Sequence, residues 1–113
     1  MQTAATPRLR ALTADIVADP TGDLTLPSLA ARAGMTERTF SRSFAKEVGD
    51  TPAAFVERAR VDRAKALLET ADWPLARVAE RSGFTSLDAL HRAFQKRVSA
   101  TPGDYRARFG ARR

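Results

Sequence analysis

The chain has 113 residues, the usual size of one domain or of two very small ones, which excludes a large multi-layer enzyme. Its 43% hydrophobic and 28% charged residues can build a modest core and argue against disorder, and the absence of cysteine excludes disulfides and thiolate metal sites. Nineteen Lys and Arg against thirteen Asp and Glu give a net charge of +6, which favours a polyanionic partner without separating DNA from RNA, acidic lipid or acidic protein.

Helical periodicity dominates the first half of the chain, and no alternating stretch bounded by turn residues indicates a strand. Three helices are predicted there, each preceded by a threonine, which is a preferred N-cap residue. They span about residues 7–19 behind Thr6, about 26–34 behind Thr25 and about 37–48 behind Thr36. In the first helix Val17 joins Leu9, Leu12 and Ile16 in the predicted apolar stripe.

The second half of the chain begins with a long helix and then repeats the earlier pattern of short helix, turn and longer helix. The long helix is predicted from Thr51-Pro52 to Ala71-Asp72 and resembles a connector. Three shorter helices follow, from Pro74 to Gly83, behind the cap Ser86, and from Thr101-Pro102 onward. The sequence therefore predicts an all-α fold of about seven helices.

An internal repeat supports this organisation: residues 29–58 align with residues 78–108 if the second copy carries one extra residue after the turn. The identical pairs, at a shift first of 49 and then of 50, are Ala30/Ala79, Arg32/Arg81, Gly34/Gly83, Thr36/Thr85, Arg42/Arg92, Phe44/Phe94, Lys46/Lys96, Val48/Val98, Thr51/Thr101, Pro52/Pro102 and Arg58/Arg108. Each copy has the helix-turn-helix pattern. We therefore expect a helix-turn-helix subdomain at 1–50, a connector helix at 51–72 and a second such subdomain at 73–113. A solitary copy would favour a plain helical hairpin, whereas duplication and basic charge favour DNA binding.

In the first copy two arginines are predicted to share the exposed ridge of the longer helix. With Phe40 as the buried reference, Arg38 and Arg42 point outward and Ser41 lies beside them. Like charges four residues apart repel each other on an isolated helix, so an anion facing them would explain the pair. Arginine can also bind guanine O6 and N7 with two hydrogen bonds, so we expect both to read bases.

In the second copy the corresponding ridge is mixed in sign. Asp88 could accept a hydrogen bond from cytosine N4, or form an ion pair with Arg92 four residues on. Leu87 could contact a thymine methyl group or pack against the protein. His91 is expected at the surface or at the edge of a groove, and no metal role is predicted for it because it has no neighbouring histidine or cysteine.

Other polar and basic residues could hold phosphates, although helix capping and ordinary surface charge explain them equally well. These predicted phosphate-binding residues are Arg32, Thr36, Lys46, Arg77, Arg81, Thr85, Ser86, Lys96 and Arg97. Trp73 is expected to pack at the end of the connector helix instead of stacking on bases.

Over about residues 10–109 the sequence resembles the DNA-binding domain of the AraC/XylS family of bacterial transcription regulators. The resemblance is carried by LAARAGMTERTFSRSFAKEVGDTP, by RVDRAKALLET and by VAERSGFTSLDALHRAFQKRVSATPGDYR. It implies two recognition helices in successive major grooves of double-stranded DNA, about 34 Å apart. By position it assigns base contacts to Arg38, Ser41, Arg42, Leu87, Asp88, His91 and Arg92.

The resemblance also implies RNA polymerase as a second partner, and an effector-binding domain that does not fit within 113 residues. No small-molecule effector site is therefore expected in this chain. Neither a cofactor nor catalytic activity is expected, because no Gly-rich phosphate loop, paired-acid site or nucleophile–base constellation stands out in the sequence. An alternative is a helical interaction module that contacts polymerase or another regulator and has only non-specific DNA affinity. No signal peptide or membrane span is predicted, and the expected location is the cytoplasm, at the nucleoid.

Overall fold

The computed structural model describes residues 7–110, which form seven α-helices and no strand, so the predicted all-α fold is confirmed. The helices are α1 (Pro7–Ala18), α2 (Leu26–Ala33), α3 (Glu37–Val48), α4 (Pro52–Thr70), α5 (Leu75–Arg81), α6 (Leu87–Val98) and α7 (Pro102–Phe109). The predicted cap Thr6 lies outside the described residues. The connector helix α4 ends at Thr70, two residues earlier than the sequence pattern indicates.

The chain divides into two compact units, and the boundary falls inside α4, between Val56 and Glu57. Unit 1 contains α1 to α3 and the first turn of α4, with α1 packed on α2 and α2 packed on α3. Unit 2 contains the rest of α4 with α5 to α7, and α6 packs on both α5 and α7.

The core of unit 1 departs from the sequence prediction at one residue. Leu9, Leu12 and Ile16 of α1 are buried, but Val17 is 61% exposed. Val17 follows Ile16 by one residue and is therefore rotated about 100° around the helix, away from the stripe that the three- and four-residue spacings define. Its inclusion in the apolar face was wrong.

The turns of the two helix-turn-helix copies have the same hydrogen bond. In unit 1 the amide of Met35 donates to the carbonyl of Ala30 over 2.9 Å, around Gly34 with φ at +70°. In unit 2 the amide of Phe84 donates to the carbonyl of Ala79, also over 2.9 Å. This is the bond that closes a helix through a left-handed residue, and glycine adopts that conformation without the strain of a β-carbon. The sequence repeat is therefore a repeat of backbone geometry.

The helix caps correct the register of that repeat. The hydroxyl of Thr36 accepts a hydrogen bond from the amide of Thr39 at 3.2 Å, and Ser86 accepts one from the amide of Ala89 at 3.0 Å. The structural counterpart of Thr36 is thus Ser86, 50 positions later, and its pairing with Thr85 was wrong. The extra residue of the second copy precedes the cap, so the shift changes before α6 begins.

Two other helix starts differ in detail from the prediction. Thr25 does occupy the N-cap of α2, but its hydroxyl makes no capping bond and donates instead to Oδ1 of Asp23 over 2.7 Å. This hydrogen bond, with the one from the Thr25 amide, lowers the pKa of Asp23. Pro74 is the extended N-cap of α5 and not its first residue, so the helix begins at Leu75.

The aromatic residues repeat as closely as the turns. The rings of Phe44 and Phe55 meet edge to face with centroids 5.6 Å apart and planes at 75°, and those of Phe94 and Tyr105 do so at 5.4 Å and 75°. Such edge-to-face contacts stabilise beyond the area they bury. In each unit this pair fixes the longer helix of the helix-turn-helix copy, α3 or α6, hereafter the recognition helix, against the helix that follows it.

The connector α4 also has a counterpart in α1, which lies outside the repeat of residues 29–58 and 78–108. Each presents buried side chains at spacings of three and four residues. These are Leu9, Leu12 and Ile16 in α1 and Val61, Ala64 and Leu68 in α4. The first turn of α4 completes unit 1, and its later turns supply unit 2 with the equivalent of α1.

Candidate nucleic-acid interface

The outer face of α3 presents two arginines to solvent. Phe40 and Phe44 are fully buried and fix the rotation of α3, so Arg38 and Arg42, each two residues from Phe40, are exposed. Ser41 lies between them on the chain and is half-buried. The structure therefore brings the three predicted base-reading residues of unit 1 to one side of one helix.

Predicted phosphate-binding residues flank this face. Thr36 is exposed at the N-cap of α3, and Lys46 is exposed in its last turn. Arg32 in the last turn of α2 is exposed too, and its Nη2 lies 3.9 Å from Oδ2 of Asp15. An exposed pair at this distance contributes little to stability, so it leaves the Arg32 guanidinium available to a stronger anion.

The outer face of α6 is mixed in charge, as the sequence indicates. Asp88 and Arg92 are both exposed, and among residues 7–110 no ion pair joins them. Leu87 is half-buried and packs against the core of unit 2, while His91 is half-buried on the same helix. The structure therefore contains the contact expected if Leu87 packs against the protein.

A shallow open groove of about 500 Å³ runs along α6 to the start of α7. It is lined by His91, Arg92, Gln95, Lys96 and Thr101. Three of these were predicted DNA contacts, so the groove joins two base-reading positions with one phosphate-binding position.

Glu57 organises the end of this groove, and sequence reasoning missed it. Its Oε1 lies 2.9 Å from Nζ of Lys96 and accepts a hydrogen bond from Nε of Arg97 at 2.8 Å. Partial burial alone would raise the pKa of Glu57, but the hydrogen bonds and charges of Lys96 and Arg97 outweigh burial and lower it. The Lys96 side chain remains 66% exposed and that of Arg97 22% exposed, so Lys96 is the better placed for an outside anion.

Arg77 and Arg81 lie exposed on α5, next to the indole of Trp73. Trp73 is half-buried and packs against the core of unit 2, as predicted. Its contact with the two arginines was not predicted, although the spacing of four residues between successive members is visible in the sequence. Thr85 and Ser86 are exposed as well, and Ser86 caps α6.

Within the described part of the chain, residues 7–110, no group of three or more His, Cys, Asp or Glu side chains is placed to hold a metal ion. No helix over the same range combines the length and apolar character needed to cross a membrane.

Two successive helix-turn-helix units, each with an exposed arginine on the outer face of its longer helix, define a class of duplicated helix-turn-helix proteins. A family model described as a helix-turn-helix domain matches residues 29–108, the whole span of the two copies. The chain belongs to this AraC-type helix-turn-helix family, which confirms the resemblance inferred from its motifs.

Similar proteins agree with this assignment. An HTH-type transcriptional regulator of Mycobacterium tuberculosis is 40% identical over 81 residues, covering 72% of this chain and 31% of the relative. A putative AraC-like transcription regulator of Streptomyces antibioticus is 33% identical over 88 residues, covering 78% of this chain and 29% of the relative. The chain thus spans about a third of the length of these curated relatives.

A solved structure matches nearly the whole fold. It is the crystal structure of the DNA-binding domain of AdpA, a global transcriptional factor, in complex with a target DNA. The TM-score is 0.85 at 35% sequence identity, covering 90% of this chain and 92% of that one.

Proposed function

We propose that this chain is a sequence-specific, double-stranded DNA-binding transcription regulator that reads a bipartite site through α3 and α6. The observation that carries the proposal is the exposed arginine pair, Arg38 and Arg42, on the rigidly packed recognition helix of a duplicated helix-turn-helix fold. The relatives named as transcription regulators and the DNA complex of the AdpA domain support it.

In this proposal the two units contribute differently to base recognition. Arg38 and Arg42 each present a planar fork to guanine, with Ser41 as a shorter donor or acceptor between them. In unit 2 Asp88 accepts from cytosine N4, and Arg92 and His91 contact bases beside it. Leu87 supports α6 through the core of unit 2 and is proposed in addition to contact a thymine methyl group.

The flanking residues supply affinity without sequence information. Basic side chains neutralise phosphates and release counterions, and exposed hydroxyls at helix N-termini add hydrogen bonds. The proposed phosphate contacts are Arg32, Thr36, Lys46, Arg77, Arg81, Thr85, Ser86, Lys96 and Arg97. RNA polymerase is proposed as a further partner, and it would contact helix faces that DNA leaves uncovered.

The proposal is tested by incubating the purified chain with randomised duplexes of about 30 base pairs at near-physiological salt and sequencing the bound fraction. Two short enriched blocks about one helical turn apart are expected. Arg38→Ala and Arg42→Ala should each relax preference at particular positions of the first block, by a factor of about 10 per lost bidentate contact.

The matched control is Arg10→Ala, which removes an exposed arginine of α1 and should leave the enriched blocks unchanged. Binding that depends steeply on salt but enriches no sequence would contradict base reading and favour the interaction module. Equal enrichment by wild type and both α3 variants would show that other side chains read the first block.

A further inference from the structure

Trp73, Arg77 and Arg81 form a stacked cluster in unit 2, called here the indole–arginine cluster. The guanidinium carbon of Arg77 lies 4.5 Å from the centroid of the Trp73 ring, and that of Arg81 lies 5.7 Å from it. Both distances fall within the range of about 6 Å in which the face of an indole attracts a cation. Arg77 and Arg81 are one turn apart on α5, so a single ring can hold both side chains.

The cluster is fixed on one side and open on the other. Trp73 packs against the core of unit 2, which limits the motion of its ring, while Arg77 and Arg81 are exposed. Neither guanidinium forms an ion pair with a carboxylate of the described residues. Two positive charges are therefore held in place and face solvent, with no counter-charge supplied by residues 7–110.

Unit 1 lacks this arrangement, although its backbone repeats that of unit 2. The positions equivalent to Trp73, Arg77 and Arg81 are occupied by Leu24, Ser28 and Arg32. Arg32 has Asp15 near it at 3.9 Å and no aromatic ring. The indole–arginine cluster thus occurs in unit 2, whose recognition helix carries Asp88. Unit 1, whose recognition helix carries Arg38 and Arg42, has no such cluster.

We propose that Trp73 is a positioning residue that holds Arg77 and Arg81 ready to bind phosphates of the DNA backbone, so that unit 2 anchors the chain while unit 1 reads most of the sequence. This inference rests on the proposed function. Charge and geometry favour phosphate as the ligand of this cluster, since a guanidinium binds a phosphate through two parallel hydrogen bonds. In addition, the first helix of a helix-turn-helix unit crosses the DNA backbone. A side chain that is already ordered loses less entropy when it binds.

The test is a thermodynamic cycle on the dissociation constant for a duplex of about 30 base pairs. Trp73→Leu keeps an apolar side chain for the core but removes the π-face, and it should weaken binding about threefold. In a chain that already carries Arg77→Ala and Arg81→Ala, Trp73→Leu should not weaken binding further, because the arginines that Trp73 positions are absent. Trp73→Phe should retain most of the affinity, because a phenyl ring also attracts cations.

Two further measurements make the test specific to this site. Trp73 is the single tryptophan of the chain, so its emission should change when duplex DNA binds. Arg77→Ala and Arg81→Ala should each reduce the slope of log K against log salt by about 0.9. Phe109→Leu is the matched control, because the guanidinium carbon of Arg108 lies 5.7 Å from the centroid of the exposed Phe109 ring. No DNA contact is proposed for this second arginine–ring pair. Phe109→Leu should leave both affinity and slope unchanged.

The outcomes separate the inference from the function on which it rests. Wild-type binding that Trp73→Leu leaves unchanged, or weakens equally in both backgrounds, overturns the inference alone. A wild-type chain that binds no duplex overturns the proposed function and the inference together. Far-UV circular dichroism of Trp73→Leu checks its fold, and if that variant unfolds, the arginine slopes and the tryptophan emission decide the question.

Discussion

Glu57 accepts a hydrogen bond from Nε of Arg97 over 2.8 Å and thereby links the first residue of unit 2 to the last turn of its recognition helix. The same carboxylate oxygen lies 2.9 Å from Nζ of Lys96. Basic side chains at the end of α6 already interact favourably with the helix dipole, and Glu57 fixes two of them there. One carboxylate of α4 therefore contacts the last turn of α6 and holds two cations at the end of its groove.

Glu57→Gln should destabilise unit 2 by about 1 kcal/mol at neutral pH, because it removes a partly buried charge from two cations. The ordinary pKa of this carboxyl is 4.5, and its pKa is lower in the folded chain. Glu57 therefore stabilises the fold above about pH 4.5 and loses this contribution as the pH falls through its folded pKa. Urea unfolding at a series of pH values should show the difference between wild type and variant vanish in acid.

Glu80→Gln is the matched control, because Glu80 is exposed and has no ion pair among the described residues. It should change the free energy of unfolding by less than about 0.5 kcal/mol at every pH. A Glu57→Gln effect that persists unchanged in acid would mean that the charge of Glu57 is irrelevant to stability.

Tyr105 should titrate only in strong alkali. Burial of its ring, together with the hydrogen bond from its hydroxyl to the carboxylate of Glu69, raises its pKa from 10.0 to about 12. Because the folded pKa exceeds the unfolded one, the stabilising contribution is complete below pH 10.0 and is lost as the pH rises toward about 12. The chain has one tyrosine, so phenolate absorbance reports this group directly.

The phenolate absorbance should have its midpoint near 12 in the native chain and near 10.0 in denaturant. Glu69→Gln should lower the native midpoint, since it removes the negative charge that disfavours a phenolate. A native midpoint equal to the denatured one would show that the hydroxyl is solvated and not bound to Glu69.

Features that depend on local spacing could be predicted from the sequence. The seven helices follow from caps and periodicity, and the exposure of Arg38 follows from its angular distance to Phe40. The contact between Glu57 and Arg97 could not be predicted, because 40 residues separate them and only the packing of α6 near α4 brings them together. The caps Thr36 and Ser86 could be predicted as well, but the pairing of Thr36 with Thr85 could not be corrected from the sequence, because identity favours Thr85 while the cap position favours Ser86.

Ser82→Ala should stabilise unit 2. Ser82 is fully buried, and its hydroxyl has no hydrogen-bond partner within the described structure. Such a group loses its solvation without compensation, so its removal should raise the free energy of unfolding by about 1 kcal/mol. The equivalent residue of unit 1 is Ala33, which is also buried, and Ala33→Ser should have the opposite effect of similar size. Thermal unfolding of both variants checks the pair, and a destabilised Ser82→Ala would reveal a partner for the hydroxyl.

The ends of the two recognition helices offer a final matched pair. The C-cap of α3 is Gly49 with φ at +87°, whereas the C-cap of α6 is Ser99 with φ at +62°, the one non-glycine residue with positive φ in the described range. A β-carbon costs about 1–2 kcal/mol in this backbone region, and glycine avoids that cost. Glycine also raises the entropy of the unfolded chain, which offsets part of the stabilisation. Ser99→Gly should therefore stabilise the chain by about 0.5–1 kcal/mol.

Gly49→Ser should destabilise the chain by a similar amount. A β-carbon at Gly49 would meet no atom within 4 Å, so backbone strain alone would account for the loss. Urea unfolding of the two variants measures both effects on one scale. Destabilisation by both Ser99→Gly and Gly49→Ser would contradict this prediction. It would mean that the side chain of Ser99, and not its backbone conformation, determines stability at the end of α6.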